Sequence, residues 1–406
     1  MRVLILSWEY PPVVEGGLAR HVRKLAENLV ADGIEVHVLT RGSARRGGWD
    51  SPQDRRGVMV HRVKEKPYPK DLEQFIAWVR RMNEDMLAAG RVLADELDID
   101  LVHGHDWLVA VAGKRLADQA RVPFVTTIHA TEYGRHQGWV HQPPMSDIHR
   151  TERWMAHCAD QVIVCSHYMR GHVADIYDLE EDRVAVIPNG IDPDDLVAVD
   201  DLDALRARFA APDEQLVLLI GRLVYEKGFQ LALDALPGLI EEVGGLRFLV
   251  AGSGSHEQAL REQATELGLM EHGTFLGWIG DDVLHSLYRI ADLCVIPSLY
   301  EPFGIVALEA MASGCPTIVA DTGGLREVVA HEKVGLRFNG GDAEHLAFMV
   351  ERMLTDHELR DRLVTQAGEH VLRFDWSDIA RQTGAVYAEV AYHRGRCQIP
   401  LRPPAA

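Results

Sequence analysis

The stretch "SLYEPFGIVALEAMASG", residues 298–314, holds two carboxylates that a buried helix does not need: Glu301 in the turn after an apolar run, and Glu309 on the helical pattern that follows. The pattern predicts a helix opening near Gly304, whose free amides and positive dipole end favour an anion. Glu301, just before that end, is placed to accept hydrogen bonds from ligand hydroxyls. Glu309, a turn and a half into the helix, is placed to hold a diol. Taken singly, the first is an ordinary loop carboxylate and the second a surface one. Upstream, "GRLVYEKG" sets Arg222 and Lys227 after another apolar run. An arginine fork and a lysine point charge beside glycines suit a diphosphate, and a solvated turn with surface cations reads the same way. Such cations matter wherever charge builds on a departing phosphate oxygen.

Three further places join these. Gly16 and Gly17, in "EYPPVVEGGLARH", precede a helix pattern, so their amides can approach a phosphate or sugar, or simply make a tight turn. Gly323 and Gly324, in "DTGGLREVV", repeat that arrangement with the same two readings. His129 ends "FVTTIHA", where it either bonds a substrate hydroxyl or is a satisfied structural histidine. Nearby, "HGHDW" gathers His103, His105 and Asp106, a poor metal site without a further carboxylate. The "WEYPP" and "HATEYGRHQGW" segments, the latter ending in Trp139, bring aromatic rings that suit stacking on a sugar chain or plain packing.

These residues share one location, the end of a short Val/Ile/Leu run. Such runs recur at 2–7, 35–40, 101–106, 123–130, 161–166 and 184–190, with amphipathic stretches between several of them, including a helix pattern from about Leu18 to Asp32. Continuous apolar runs joined through helices indicate parallel strands buried on both faces. An aspartate-rich break over 192–203 follows, and the rhythm restarts at 216–223, 247–254, 273–279, 293–298, 316–321 and 335–338. The expected fold class is therefore α/β, two doubly wound parallel-sheet domains facing each other across a cleft, with ligands beyond the carboxyl ends of the strands. The expected divisions are a first domain over 1–190, a second over 191–375, a terminal helix over 376–392 and a loose tail over 393–406. The stretch 42–57 reads as an exposed loop.

The 406 residues exceed what one core usually holds, in agreement with two domains. Net charge is −19, which gives no domain-wide basic field for nucleic acid or an anionic membrane. Five scattered cysteines (Cys158, Cys165, Cys294, Cys315 and Cys397) form no CxxC pair, which fits a reducing cytoplasm and argues against a zinc cluster. No apolar stretch approaches a membrane span. A cytoplasmic protein is expected, and its oligomeric state is not readable.

Taken together, "EPFGIVALEAMASGCP", "GRLVYEKG", "SWEYPPVVEGGLARHV", "VHGHDWLVA", "TIHATEYGRHQGW" and "VIPNGID" resemble the retaining GT-B glycosyltransferases of family four, close to the glycogen synthases, over nearly the whole chain. The resemblance implies glucose transfer from ADP- or UDP-glucose to an α-1,4-glucan or malto-oligosaccharide, with no metal or other cofactor. It also implies that Arg222 and Lys227 stabilise the diphosphate, with amides near Phe303, at Gly304, Ile305 and Val306, completing the cradle. Glu301 would bind donor-sugar hydroxyls, Glu309 the ribose, and the stretch from Phe275 to Trp278 would pass the base. Gly16 and Gly17 would meet the donor, His129 the transferred sugar, and Asp106 the acceptor, with Trp139 on the acceptor side. One position departs from the pattern. Starch-type bacterial glycogen synthases carry a lysine two residues before the glycine pair, where this chain has Val14 followed by Glu15. That turns the expectation toward family four, whose donors are UDP-, ADP- or GDP-linked.

Two rival readings accompany this one. Hexosyl transfer, of mannose or glucose, to a lipid or small-molecule acceptor is disfavoured for a membrane surface, because the amphipathic stretch 71–97 carries more acids than bases. A non-catalytic binding protein is disfavoured because the cation pair and both glutamates are present.

Overall fold

The computed structural model describes residues 1–42, 53–64, 67–69 and 71–393. The chain divides into one unit of residues 1–190 with 376–406 and a second of 191–375. The tail 394–406, with Cys397, and residues 43–52 of the expected loop lie outside the described residues.

The first unit is built on β1 (Arg2–Ser7), β2 (Glu35–Arg41), β3 (Gln53–Arg55), β4 (Val58–Val63), β5 (Leu101–His105), β6 (Phe124–Ile128), β7 (Gln161–Val164) and β8 (Val184–Val186). Its helices are α1 (Gly17–Ala31), α2 (Leu72–Glu96), α3 (Ala110–Ala120), α4 (Glu132–Arg135), α5 (Met145–Cys158) and α6 (His167–Tyr177). The sheet order is β3-β4-β2-β1-β5-β6-β7-β8, parallel except for β3 against β4. β3 corrects the reading of 42–57 as wholly loop. Arg55 and Val58 close a tight antiparallel hairpin, and its two-residue turn is short enough to hide a three-residue strand. β4 was also missed, because His61 and Arg62 interrupt its apolar run.

The second unit contains β9 (Gln215–Ile220), β10 (Leu246–Ala251), β11 (Gly273–Gly277), β12 (Leu293–Ile296), β13 (Thr317–Ala320) and β14 (Leu336–Phe338). Between them run α7 (Leu202–Arg206), α8 (Phe229–Val243), α9 (Glu257–Glu266), α10 (Asp281–Ile290), α11 (Ile305–Ala312), α12 (Leu325–Val328), α13 (Ala343–Thr355) and α14 (His357–Val371). The wholly parallel order is β11-β10-β9-β12-β13-β14. Phe229, Leu233 and Leu236 of α8 and Met349 and Met353 of α13 share its core with Val217, Phe248 and Ile318 of the sheet.

The last helix, α15 (Trp376–His393), returns to the first unit, where Trp376, Ile379 and Tyr387 share the core with Val3, Val22 and Val125. Ile191 N–H bonds the Phe374 carbonyl at 2.9 Å, so the two ends of the second unit meet. Among the described residues no helix is long and apolar enough to cross a membrane.

Candidate functional site

In an open parallel sheet, ligands gather where the strand order reverses, beyond the carboxyl ends. The second sheet reverses between β9 and β12. The loops leaving these two strands carry Arg222, Lys227 and Glu301, and the backbone ties them together. Leu299 and Tyr300 N–H groups bond the Glu226 carbonyl at 2.9 and 3.2 Å. Gly228 permits this approach: it has a left-handed φ of 70°, and a Cβ there would stand 2.0 Å from the Pro297 carbonyl oxygen. Lys227 Nζ consequently lies 2.7 Å from Glu301 Oε2, which the Ser298 hydroxyl also approaches at 3.3 Å. Arg222 stays outside this pair. Its side chain is more than half exposed, and its guanidinium lies 3.8 Å from Glu226.

The Glu301 loop runs into α11 through Phe303, buried with its ring edge-on to Phe374, and Gly304, at φ 112°. The first amide bonded back into the helix is that of Ala307, to the Gly304 carbonyl at 3.0 Å. The amides of Ile305 and Val306 precede it, at the end where helix donors lack intrahelical acceptors. Gly324 N–H bonds the Glu301 carbonyl at 2.9 Å, and a Cβ on Gly324 would stand 2.3 Å from the Pro302 carbonyl oxygen, which gives this glycine a structural reason of its own. Glu309 is buried and accepts a 3.0 Å hydrogen bond from the Tyr288 hydroxyl. Trp278, after β11, is 80% exposed.

The first sheet reverses between β1 and β5. After β1 the chain turns Glu9 inward. Its carboxylate accepts the N–H of Gly16 at 3.2 Å and that of Glu15, while Ser7 Oγ donates to the Glu9 carbonyl at 2.7 Å. Burial pushes the Glu9 carboxyl up to about 7. Glu15 is ion-paired with the buried Arg41, whose Nε donates to the Trp8 carbonyl at 2.9 Å and whose guanidinium lies 4.8 Å from the Trp8 ring centre. The glycine pair that opens α1 is thus held at two points. Nothing in the linear spacing announces Glu9 or Arg41, because each acts through a loop closure.

Asp106 follows β5 with a left-handed φ of 61° and accepts the His129 N–H at 2.8 Å. Burial raises its carboxyl to about 6. His129 follows β6, its Nε2 3.0 Å from His105 Nδ1. His21 of α1 closes the group, its ring centre 4.6 Å from that of His129. The nitrogens of His103 are held by the Tyr387 hydroxyl at 2.6 Å and Thr127 Oγ1 at 2.8 Å. Burial drives the His129 imidazole down to about 3 and His21 and His105 well below their usual value, so His129 offers a neutral donor or acceptor rather than a charge. Trp139, 75% exposed, meets His141 edge-on at 6.2 Å.

Each unit thus gathers its polar groups at its own switch point. The first offers neutral rings and amides, the second a fixed cation–carboxylate pair beside a helix amino end. Residues 15–195 match Glycosyltransferase Family 4, and residues 202–370 match Glycosyl transferases group 1. An uncharacterized glycosyltransferase of Methanocaldococcus jannaschii is 36% identical over 403 residues, covering 98% of this chain and all of its own. The glycogen synthase of Mycobacterium tuberculosis is 37% identical over 420 residues, covering all of this chain and 98% of its own. A D-inositol 3-phosphate glycosyltransferase of Nocardia farcinica is 31% identical over 93% of this chain and 87% of its own. Among solved structures, the sucrose-phosphate synthase of Thermosynechococcus elongatus superposes with a TM-score of 0.83 at 26% identity, covering 97% of this chain and 99% of that one. The catalytic domain of starch synthase IV from Arabidopsis thaliana, bound to ADP and acarbose, superposes with a TM-score of 0.75 at 20% identity, covering 96% and 99%.

Proposed function

The chain belongs to the group 1, family 4 glycosyltransferases of GT-B fold, and from that premise we propose that it moves glucose from ADP- or UDP-glucose to an α-1,4-glucan or malto-oligosaccharide, with retention at the anomeric carbon. The observation that carries the donor half is the 2.7 Å pair of Lys227 and Glu301 on the loop that runs into α11. In this reading Lys227, Arg222 and the amides of Gly304, Ile305 and Val306 receive the charge that builds on the leaving diphosphate. Glu301 holds donor-sugar hydroxyls with one oxygen while Lys227 fixes the other. Glu309 takes the ribose, Phe303 shapes the turn, and Gly16 and Gly17 meet the donor. His129, neutral, bonds a hydroxyl of the transferred sugar. Asp106 and Trp139 serve the acceptor. Side-chain cations and helix amides do the neutralising, so the scheme requires no metal.

The glucan half is supported by the 37% identity to a glycogen synthase along the whole chain. A second reading, hexosyl transfer to a small phosphorylated acceptor, is favoured by the 31% identity to an inositol phosphate enzyme. Nucleotide release measured over ADP-, UDP- and GDP-linked hexoses, crossed with maltose-type oligosaccharides and inositol phosphate, separates the two. Turnover that depends on malto-oligosaccharide supports the first reading, and turnover with inositol phosphate alone overturns it.

A further inference from the structure

Three imidazoles on three different elements meet in the first unit: His21 on α1, His105 at the end of β5 and His129 after β6. One ring nitrogen from each lies within 4.8 Å of the other two. Among the described residues His21 Nδ1 and His105 Nε2 are buried without a hydrogen-bond partner, an arrangement that native interiors rarely leave unanswered.

We propose that His21, His105 and His129 form a site for one divalent transition cation of the zinc class, and that filling it blocks sugar transfer. The blocking half rests on the placement of His129 at the transferred sugar, given above.

The donor set suits such a cation. Imidazole nitrogen binds zinc, cobalt, nickel and copper ions, and three rings leave a fourth position open. Zinc–nitrogen bonds of about 2.0–2.1 Å put tetrahedral ligand atoms roughly 3.4 Å apart, so the rings must draw inward by up to about 1.4 Å. Half-buried His129 provides the way in. The rings are also held from behind, as ligating histidines are. Asp106 fixes the His129 backbone. His103, pinned by Tyr387 and Thr127, packs on His105 with ring centres 4.2 Å apart. A cation there would occupy the His129 imidazole that the sugar needs.

The test uses the full chain, stripped with EDTA and dialysed. Cobalt titration is followed by the visible ligand-field band, zinc by equilibrium dialysis, and both by thermal unfolding. One ion per chain is expected, with a band of low coordination number and a raised Tm. His21→Gln and His105→Gln should each weaken zinc binding beyond the roughly 10–100-fold that loss of a supporting group costs. Circular dichroism checks the folding of both variants, and if the fully buried His105→Gln fails to fold, His21→Gln decides alone. Zinc should stop nucleotide release, and EDTA should restore it. Absence of a bound ion, or equal affinity in the folded variants, overturns the site and leaves the placement of His129 untouched. Zinc bound through these histidines with release unaltered overturns the blocking half and, with it, His129 at the sugar.

Discussion

Lys227 Nζ stands 2.7 Å from Glu301 Oε2, both side chains being largely buried. In the proposed scheme a lysine so fixed delivers its charge without reorganising as the diphosphate departs. Lys227→Ala should lower turnover by about 10²–10³-fold, the scale of one lost charge-stabilising contact, while circular dichroism stays native. Normal nucleotide release by this variant would end the assignment of the diphosphate site.

Glu301→Ala removes the other half of the pair. Turnover should fall while calorimetry finds the free nucleotide product bound nearly as tightly as before, because the glutamate is assigned to the sugar. Weakened nucleotide binding would give Glu301 a different role.

Gly228 should tolerate no side chain. Gly228→Ala meets both the left-handed φ and the Pro297 carbonyl at 2.0 Å. The backbone conformation alone costs about 1–2 kcal/mol, and the clash adds to it. Urea unfolding of the variant should show at least that loss, and an unchanged midpoint would contradict the described apposition of the two loops.

Glu152 gives a stability prediction with a definite sign. It is buried among Tyr177 and the Glu132 amide, and desolvation raises its carboxyl from 4.5 to about 8. The folded chain therefore holds a proton that the unfolded chain has released, and stability from this group is lost as pH rises from 4.5 through 8. The slope of one such group is up to about 1.4 kcal/mol per pH unit. Denaturant titrations across that window should be flatter for Glu152→Gln, and parallel wild-type and variant curves would refute the assignment.

Dialysis against EDTA should leave nucleotide release intact, since in the proposed scheme the neutralising groups belong to the chain. Strong inhibition reversed by magnesium would contradict this.

Apart from the polar β3, the strands of both sheets were legible where each is a continuous apolar run, the mark of burial on two faces. β4 was not, because His61 and Arg62 stand within it. Arg222, Lys227 and Glu301 could be picked out because each follows such a run, and a strand's carboxyl end is where a parallel sheet presents ligands. The grip of Glu9 on Gly16 and the meeting of His21 with His129 could not. The first is a closure within the β1–α1 loop, and the second depends on which strands become neighbours, the order β2-β1-β5-β6 being a long-range outcome. The bond of His103 to Tyr387 of α15, a partner 284 residues away, is equally invisible in the linear sequence.

The bond from Ile191 to Phe374 makes residues 191–375 a guest spliced into a host chain, its entry and exit a single peptide's reach apart. The host closes behind it just as tightly, since a methyl on Gly190 would strike the Trp376 ring at 2.6 Å. A gene carrying 191–375 alone, and another joining 1–190 to 376–393 through a few glycines, would therefore each encode one uninterrupted body.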